Sequence, residues 1–110
     1  MSFVWLVLFG ASWGCLSTVQ AQTGKTLAEL KTEAAAAFEA GNWRQAHRNY
    51  AELLSLDGTD RSHQIRYAAT LLHDARMRKE GSQRLAGLVE EGQLDAEGWH
   101  WWGMAMMRFG

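Results

Sequence analysis

The chain has 110 residues, and 11 Lys and Arg against 12 Asp and Glu give a formal net charge of -1, which favours neither nucleic acid nor an anionic membrane surface as a partner. It contains no proline and 11 glycines, and after residue 26 it is rich in Ala, Leu, Glu, Gln and Arg, which favour helix. These values exclude an all-β fold and leave room for one small domain.

The first predicted element is an apolar segment over residues 3–19, which carries no charged side chain. Such a segment is typical of a signal peptide, and Val19 and Ala21 suit a signal peptidase that cleaves before Gln22. The chain is therefore expected to be exported, and so periplasmic or secreted. In one alternative the segment stays in the bilayer as an anchor, and in another Cys15 is lipidated. A membrane is expected as a partner only in these two cases.

Cleavage at this position removes Cys15, the only cysteine of the chain. The mature protein is then predicted to have neither a disulfide nor a thiolate metal ligand. The predicted organisation is a signal peptide or signal anchor over residues 1–21, a short linker over 22–26 and a helical domain over 27–110.

Apolar residues recur at helical spacing through the rest of the chain. Gly41 and Asn42 break the pattern once, and the cluster over residues 57–60 ends one helix and caps the next. A further turn is expected near residues 74–79. The predicted helices cover residues 27–40, 43–56, 62–76, 77–91 and 99–109.

Small residues recur in register with a period of about 34 residues. Ala34, Ala68 and Gly103 form one set, and Ala46 and Gly81 form another. Small residues permit the close approach of two helices. The predicted fold is an all-α short solenoid of antiparallel helix-turn-helix repeats, preceded by an N-terminal apolar signal or anchor helix. An ordinary bundle of helical hairpins with accidental spacing is the alternative.

Two segments resemble a known repeat. Residues 99–106, WHWWGMAM, resemble the W-x2-L-G-x2-Y pattern of the tetratricopeptide repeat family, with Trp102 for Leu and Met106 for Tyr. Residues 41–46, GNWRQA, resemble the turn between the two helices of that family's unit. The units that the resemblance implies are residues 27–60, residues 61–95 and an incomplete third unit over residues 96–110.

Members of this family bind peptides or protein segments in a concave groove lined by the first helix of each unit. The resemblance implies the same groove here, for a peptide with an apolar residue and a negative group. In the alternative, Phe38, Leu72 and the methionines among the candidate residues are simply core. The candidate groove residues are Lys31, Phe38, Glu39, Ile65, Leu72, His73, His100, Met104, Met107 and Arg108.

The last predicted helix is apolar around most of its circumference, although terminal helices of solenoids normally present a polar outer face. The first interpretation is that the chain is a truncated part of a longer repeat protein. In the second, another protein or another copy of this chain covers the helix. A second copy would make the protein a homo-oligomer. The candidate interface residues are Trp99, Trp101, Trp102, Met106 and Phe109.

Motifs of catalysis and metal binding are absent from the sequence. Residues 24–26, Gly-Lys-Thr, resemble the end of a phosphate-binding loop, but Val19 stands where that loop needs a glycine. The four histidines lack the spacing of a metal site. The predicted function is a non-catalytic scaffold that binds a peptide or protein segment, without cofactor or metal. The alternative is a membrane-anchored assembly factor that keeps residues 3–19 in the bilayer.

Overall fold

The computed structural model describes residues 25–109, and this part of the chain contains helices and no strand. The prediction of an all-α protein is confirmed. The predicted signal or anchor and its cleavage site lie outside the described residues. The helices are α1 (Leu27–Glu39), α2 (Trp43–Leu56), α3 (Arg61–Leu72), α4 (Arg78–Glu90) and α5 (Ala96–Met104), and a π-helical segment follows at Ala105–Phe109.

Local capping explains where four of these helices begin. The Thr26 side chain accepts a hydrogen bond from the Glu29 backbone N–H at 3.1 Å, and the Thr26 N–H donates to the Glu29 carboxylate at 2.9 Å. Asn42, Asp60 and Asp95 each accept a hydrogen bond from the backbone N–H three residues later. These side chains satisfy backbone donors that have no partner inside the helix.

Apart from shifts of one residue, the helix boundaries differ from the prediction at the end of α3 and at the start of α5, and the predicted last helix continues as a π-helix over Ala105–Phe109. Helix α3 ends at Leu72 instead of residue 76, because Asp74 accepts a hydrogen bond from the Arg76 N–H and the Met77 N–H donates to the Asp74 carbonyl, which closes a turn. Helix α5 begins at Ala96 instead of residue 99, because Asp95 acts as its N-cap. The prediction placed Asp95 within the preceding connection.

Each helix packs against the next one along the chain, and α5 also packs against α3. Small residues make the tightest of these contacts. Gly81 of α4 is buried, and a Cβ atom there would lie 2.8 Å from the carbonyl oxygen of Ala68 in α3. At Gly103 a Cβ atom would meet nothing within 4 Å. The prediction of close helix approach is therefore wrong for Gly103, since no described helix packs over it.

Among residues 25–109, no helix is both long and apolar enough to cross a bilayer.

Candidate functional site

The structure buries three of the apolar residues predicted to line a concave groove. Phe38, Ile65 and Leu72 all belong to the hydrophobic core. Their side chains are therefore not accessible to a peptide, and their prediction as groove residues is wrong. The alternative interpretation of Phe38 and Leu72 as core agrees with their burial.

An aromatic cluster joins two of the predicted groove residues, Phe38 and His73, to Trp43 and Trp101. The Trp101 ring of α5 lies 5.7 Å from the Phe38 ring of α1 and 6.0 Å from the Trp43 ring of α2, both edge to face. His73 stacks on Trp43 with ring centroids 3.7 Å apart. Edge-to-face and stacked pairs are favourable arrangements for aromatic rings. Trp101 is only 9% exposed, so its prediction as an interface residue is also wrong.

A charged contact that the sequence analysis missed holds α5 against α3. Arg66 Nε donates to Glu97 Oε2 at 2.9 Å, and a second guanidinium nitrogen donates to the Tyr50 hydroxyl at 3.2 Å. Burial lowers the pKa of Arg66, but the hydrogen bonds to Tyr50 and Glu97 outweigh it and raise the pKa. Residues 66 and 97 are so far apart in the chain that no local pattern points to the pair.

The other predicted groove residues fall into two groups. Lys31 and Glu39 are exposed on α1, and His73 is half-buried in the aromatic cluster. His100, Met104, Met107 and Arg108 come together at the end of the described chain. With Trp99 and Gly103, these four residues line one surface pocket of about 510 Å³, and we call the pocket and the adjacent Met106 the C-terminal surface.

The C-terminal surface exposes three large apolar side chains. Trp99 is 53% exposed, Met106 60% and Met107 89%. Trp99, Gly103 and Met107 follow one another at intervals of four, which places them along the same side of a helix. Because Gly103 has no side chain and no neighbour within 4 Å of a Cβ position, a hollow remains between the tryptophan and the methionine.

The charge of this surface is positive. Among the residues that the structure describes, Arg108 and His100 are the only titratable ones that line the pocket. Arg108 makes no ion pair with any residue in the described part of the chain. The surface therefore presents apolar side chains beside a guanidinium group that is available to a carboxylate.

Of the remaining interface predictions, Trp102 is half-buried and packs against the core. The side chain of Phe109 lies outside the described part of the structure. Trp99 and Met106 remain candidates for an interface, because both are exposed.

No group of three His, Cys, Asp or Glu side chains within residues 25–109 is arranged to hold a metal ion. In comparisons with protein-family models, curated proteins and solved structures, no match to this chain is found. The resemblance to tetratricopeptide repeats therefore stays a prediction from the residues quoted above.

Proposed function

We propose that this chain is a non-catalytic protein-interaction module, which binds an amphipathic segment of a partner protein on its C-terminal surface. The observation that carries the proposal is the exposure of Trp99, Met106 and Met107 together. Contiguous exposed apolar side chains mark interaction sites. Tryptophan is a frequent anchor of such sites, and methionine adapts its shape to different partners.

The chemistry of the surface specifies the chemistry of the segment. An apolar side chain of the partner fits the hollow at Gly103, between Trp99 and Met107. A carboxylate next to it pairs with Arg108, which has no ion-pair partner among residues 25–109. A segment with both features gains affinity from the buried apolar area and orientation from the charge.

We further propose that the helices are tetratricopeptide-like units, and that the protein works after export. The support for the repeat is that residues about 34 or 35 positions apart are buried alike. These pairs are Ala34 and Ala68, Ala46 and Gly81, Tyr50 and Leu85, and Leu53 and Leu88. The support for export is the apolar, uncharged sequence of residues 3–19.

A peptide selection tests the proposed binding. The 110-residue chain is used to select binders from a displayed library of random peptides, and the affinities of the selected peptides are measured by calorimetry. We expect peptides with apolar and acidic residues. Trp99→Ser and Met107→Ser are each expected to weaken binding about tenfold or more, the loss typical of an anchor residue. Arg108→Gln is expected to weaken the acidic peptides selectively.

Leu56→Ser is the matched control. Leu56 is an apolar residue at the end of α2, is 63% exposed and lies outside the C-terminal surface. Its replacement is expected to leave affinity unchanged. Equal affinity for the Trp99, Met107 and Leu56 variants would contradict the proposal. The competing possibility is that a second copy of this chain covers the C-terminal surface. Light scattering over a dilution series would then show a molar mass that falls on dilution, and a lower mass for Trp99→Ser than for the original chain at the same concentration.

A further inference from the structure

A second pocket lies between the first turn of α2 and the loop that joins α3 to α4. Its volume is about 540 Å³, which is within the range of small-molecule sites. Helix α2 contributes Trp43, Arg44 and His47, and the end of α3 and the loop contribute His73 and Arg76 among others. None of its lining residues belongs to the C-terminal surface.

One wall of this pocket is aromatic and held in position. The rings of Trp43 and His73 are stacked 3.7 Å apart and only 12° from parallel. His73 Nδ1 lies 2.9 Å from the Ala69 carbonyl oxygen, so this nitrogen carries a proton and donates it. On the other side, His47 is stacked on Tyr67 at 5.1 Å. A ligand therefore meets rings whose orientation is already set.

The charge in the pocket is positive and only partly compensated. The Arg44 side chain makes no hydrogen bond or ion pair within residues 25–109. Asp74 is the only acidic residue that residues 25–109 contribute to the lining. Its Oδ1 lies 3.9 Å from Arg76 Nε and already accepts the Arg76 backbone N–H at 3.0 Å. The guanidinium group of Arg76 is therefore only weakly paired with the Asp74 carboxylate.

His73, which lines the pocket, is also influenced by two arginines outside the lining, Arg78 and Arg108. Burial is the largest cause of the lowered pKa of His73, and the charges of Arg78 and Arg108 lower it further, against a hydrogen bond to Ala69 that raises it. The imidazole is neutral at pH 7, so the positive charge of the pocket comes from its arginines.

We propose that this pocket binds a small organic anion. Its carboxylate or phosphate group pairs with Arg44 and Arg76, and its apolar body lies against Trp43 and Met77. Guanidinium groups donate paired hydrogen bonds that fit both kinds of anion. A flat or compact body gains contact with the indole ring at little cost in conformational entropy. The site shares no lining residue with the C-terminal surface, and binding there does not require the protein partner proposed for that surface.

Nuclear magnetic resonance titration of the 15N-labelled 110-residue chain tests this proposal. The probes are benzoate, phenyl phosphate, inorganic phosphate and the neutral benzyl alcohol. We expect saturable shifts of the Trp43 indole N–H with benzoate or phenyl phosphate, and the tighter of the two identifies the anionic group. Inorganic phosphate is expected to bind more weakly because it lacks the apolar body.

The variants Arg44→Gln and Arg76→Gln are each expected to weaken the tighter probe about fivefold or more, the loss of one charge-assisted hydrogen bond. Both residues are exposed, so neither replacement disturbs the core. Arg61→Gln, at the start of α3 and outside the pocket lining, is the matched control and is expected to bind normally. Absence of saturation, equal binding of benzyl alcohol, or unchanged affinity in both pocket variants would overturn the proposal.

Discussion

At the scale of single residues, His73 shows how position sets chemistry. Its ring is stacked on Trp43 and lies edge to face with the Trp101 ring, with 5.5 Å between the ring centroids. The side chain is half-buried at the end of α3. Burial removes water from the imidazole, and Arg78 and Arg108 add positive charge nearby, so the pKa is lowered. The folded protein therefore holds His73 in its neutral form at a pH where the unfolded chain protonates it.

This difference predicts a pH dependence of stability. Above the ordinary histidine pKa of 6.5, His73 is neutral in both states and its contribution is fully present. As the pH falls from there through the lower folded-state pKa, the unfolded chain binds the proton first, and the free energy of unfolding decreases. Urea denaturation from about pH 8 to about pH 5 measures the decrease in the original chain and in His73→Phe.

The phenylalanine variant keeps a ring that can stack on Trp43 but cannot take up a proton. We expect its stability to depend less on pH over that window, whatever its absolute stability. An identical dependence in both proteins would show that the proton is taken up elsewhere.

At the scale of elements, the contact between α3 and α4 depends on a missing side chain. Gly81 is buried in α4. A Cβ atom there would lie 2.8 Å from the Ala68 carbonyl oxygen and 3.1 Å from the Leu72 backbone nitrogen. Both of these atoms belong to the backbone of α3, so they cannot move aside without moving the helix.

Gly81→Ala is therefore expected to destabilise the protein by about 1–3 kcal/mol, because the cost of overpacking exceeds the gain in helix propensity. Gly87→Ala is the matched control within the same helix. A Cβ atom at Gly87 meets nothing within 4 Å, so this change is expected to stabilise by about 0.5–1 kcal/mol. Denaturant midpoints measure both effects. Equal midpoints would show that α3 and α4 are not in close contact.

At the scale of the whole molecule, α5 closes the structure by packing back onto earlier helices. Trp101 reaches the rings of Phe38 and Trp43, and Glu97 pairs with Arg66. Both contacts join residues that are far apart in the chain. They bury one side of α5 and leave Trp99, on its other side, exposed.

Trp101→Ala is expected to cost about 3–5 kcal/mol of unfolding free energy, the usual loss for a buried aromatic residue. Trp99→Ala, on the exposed side of the same helix, is expected to cost less than about 1 kcal/mol. Urea denaturation of the two variants compares them directly. Similar losses would mean that α5 does not pack through Trp101.

The candidate site could be predicted only in part. The sequence pointed to Trp99 and Met106 because they belong to an unusually apolar terminal helix, and to Met107 as a groove residue through the family resemblance. It did not separate them from Trp101, because a helix that is apolar on most sides gives no sign of which side is buried. The pocket beside Trp43 and Arg44 was missed, since residues from α2, α3 and a loop form it together.

The sequence by itself determined that the described chain is helical and where most of its helices begin and end. Helix propensity, the caps at Thr26, Asn42 and Asp60, and the left-handed turn at Gly41 act over a few residues. Only the tertiary structure decided that Phe38 and Leu72 are core, and that Trp101 is buried while Trp99 is exposed. Burial depends on which distant side chains meet, and no local pattern carries that information.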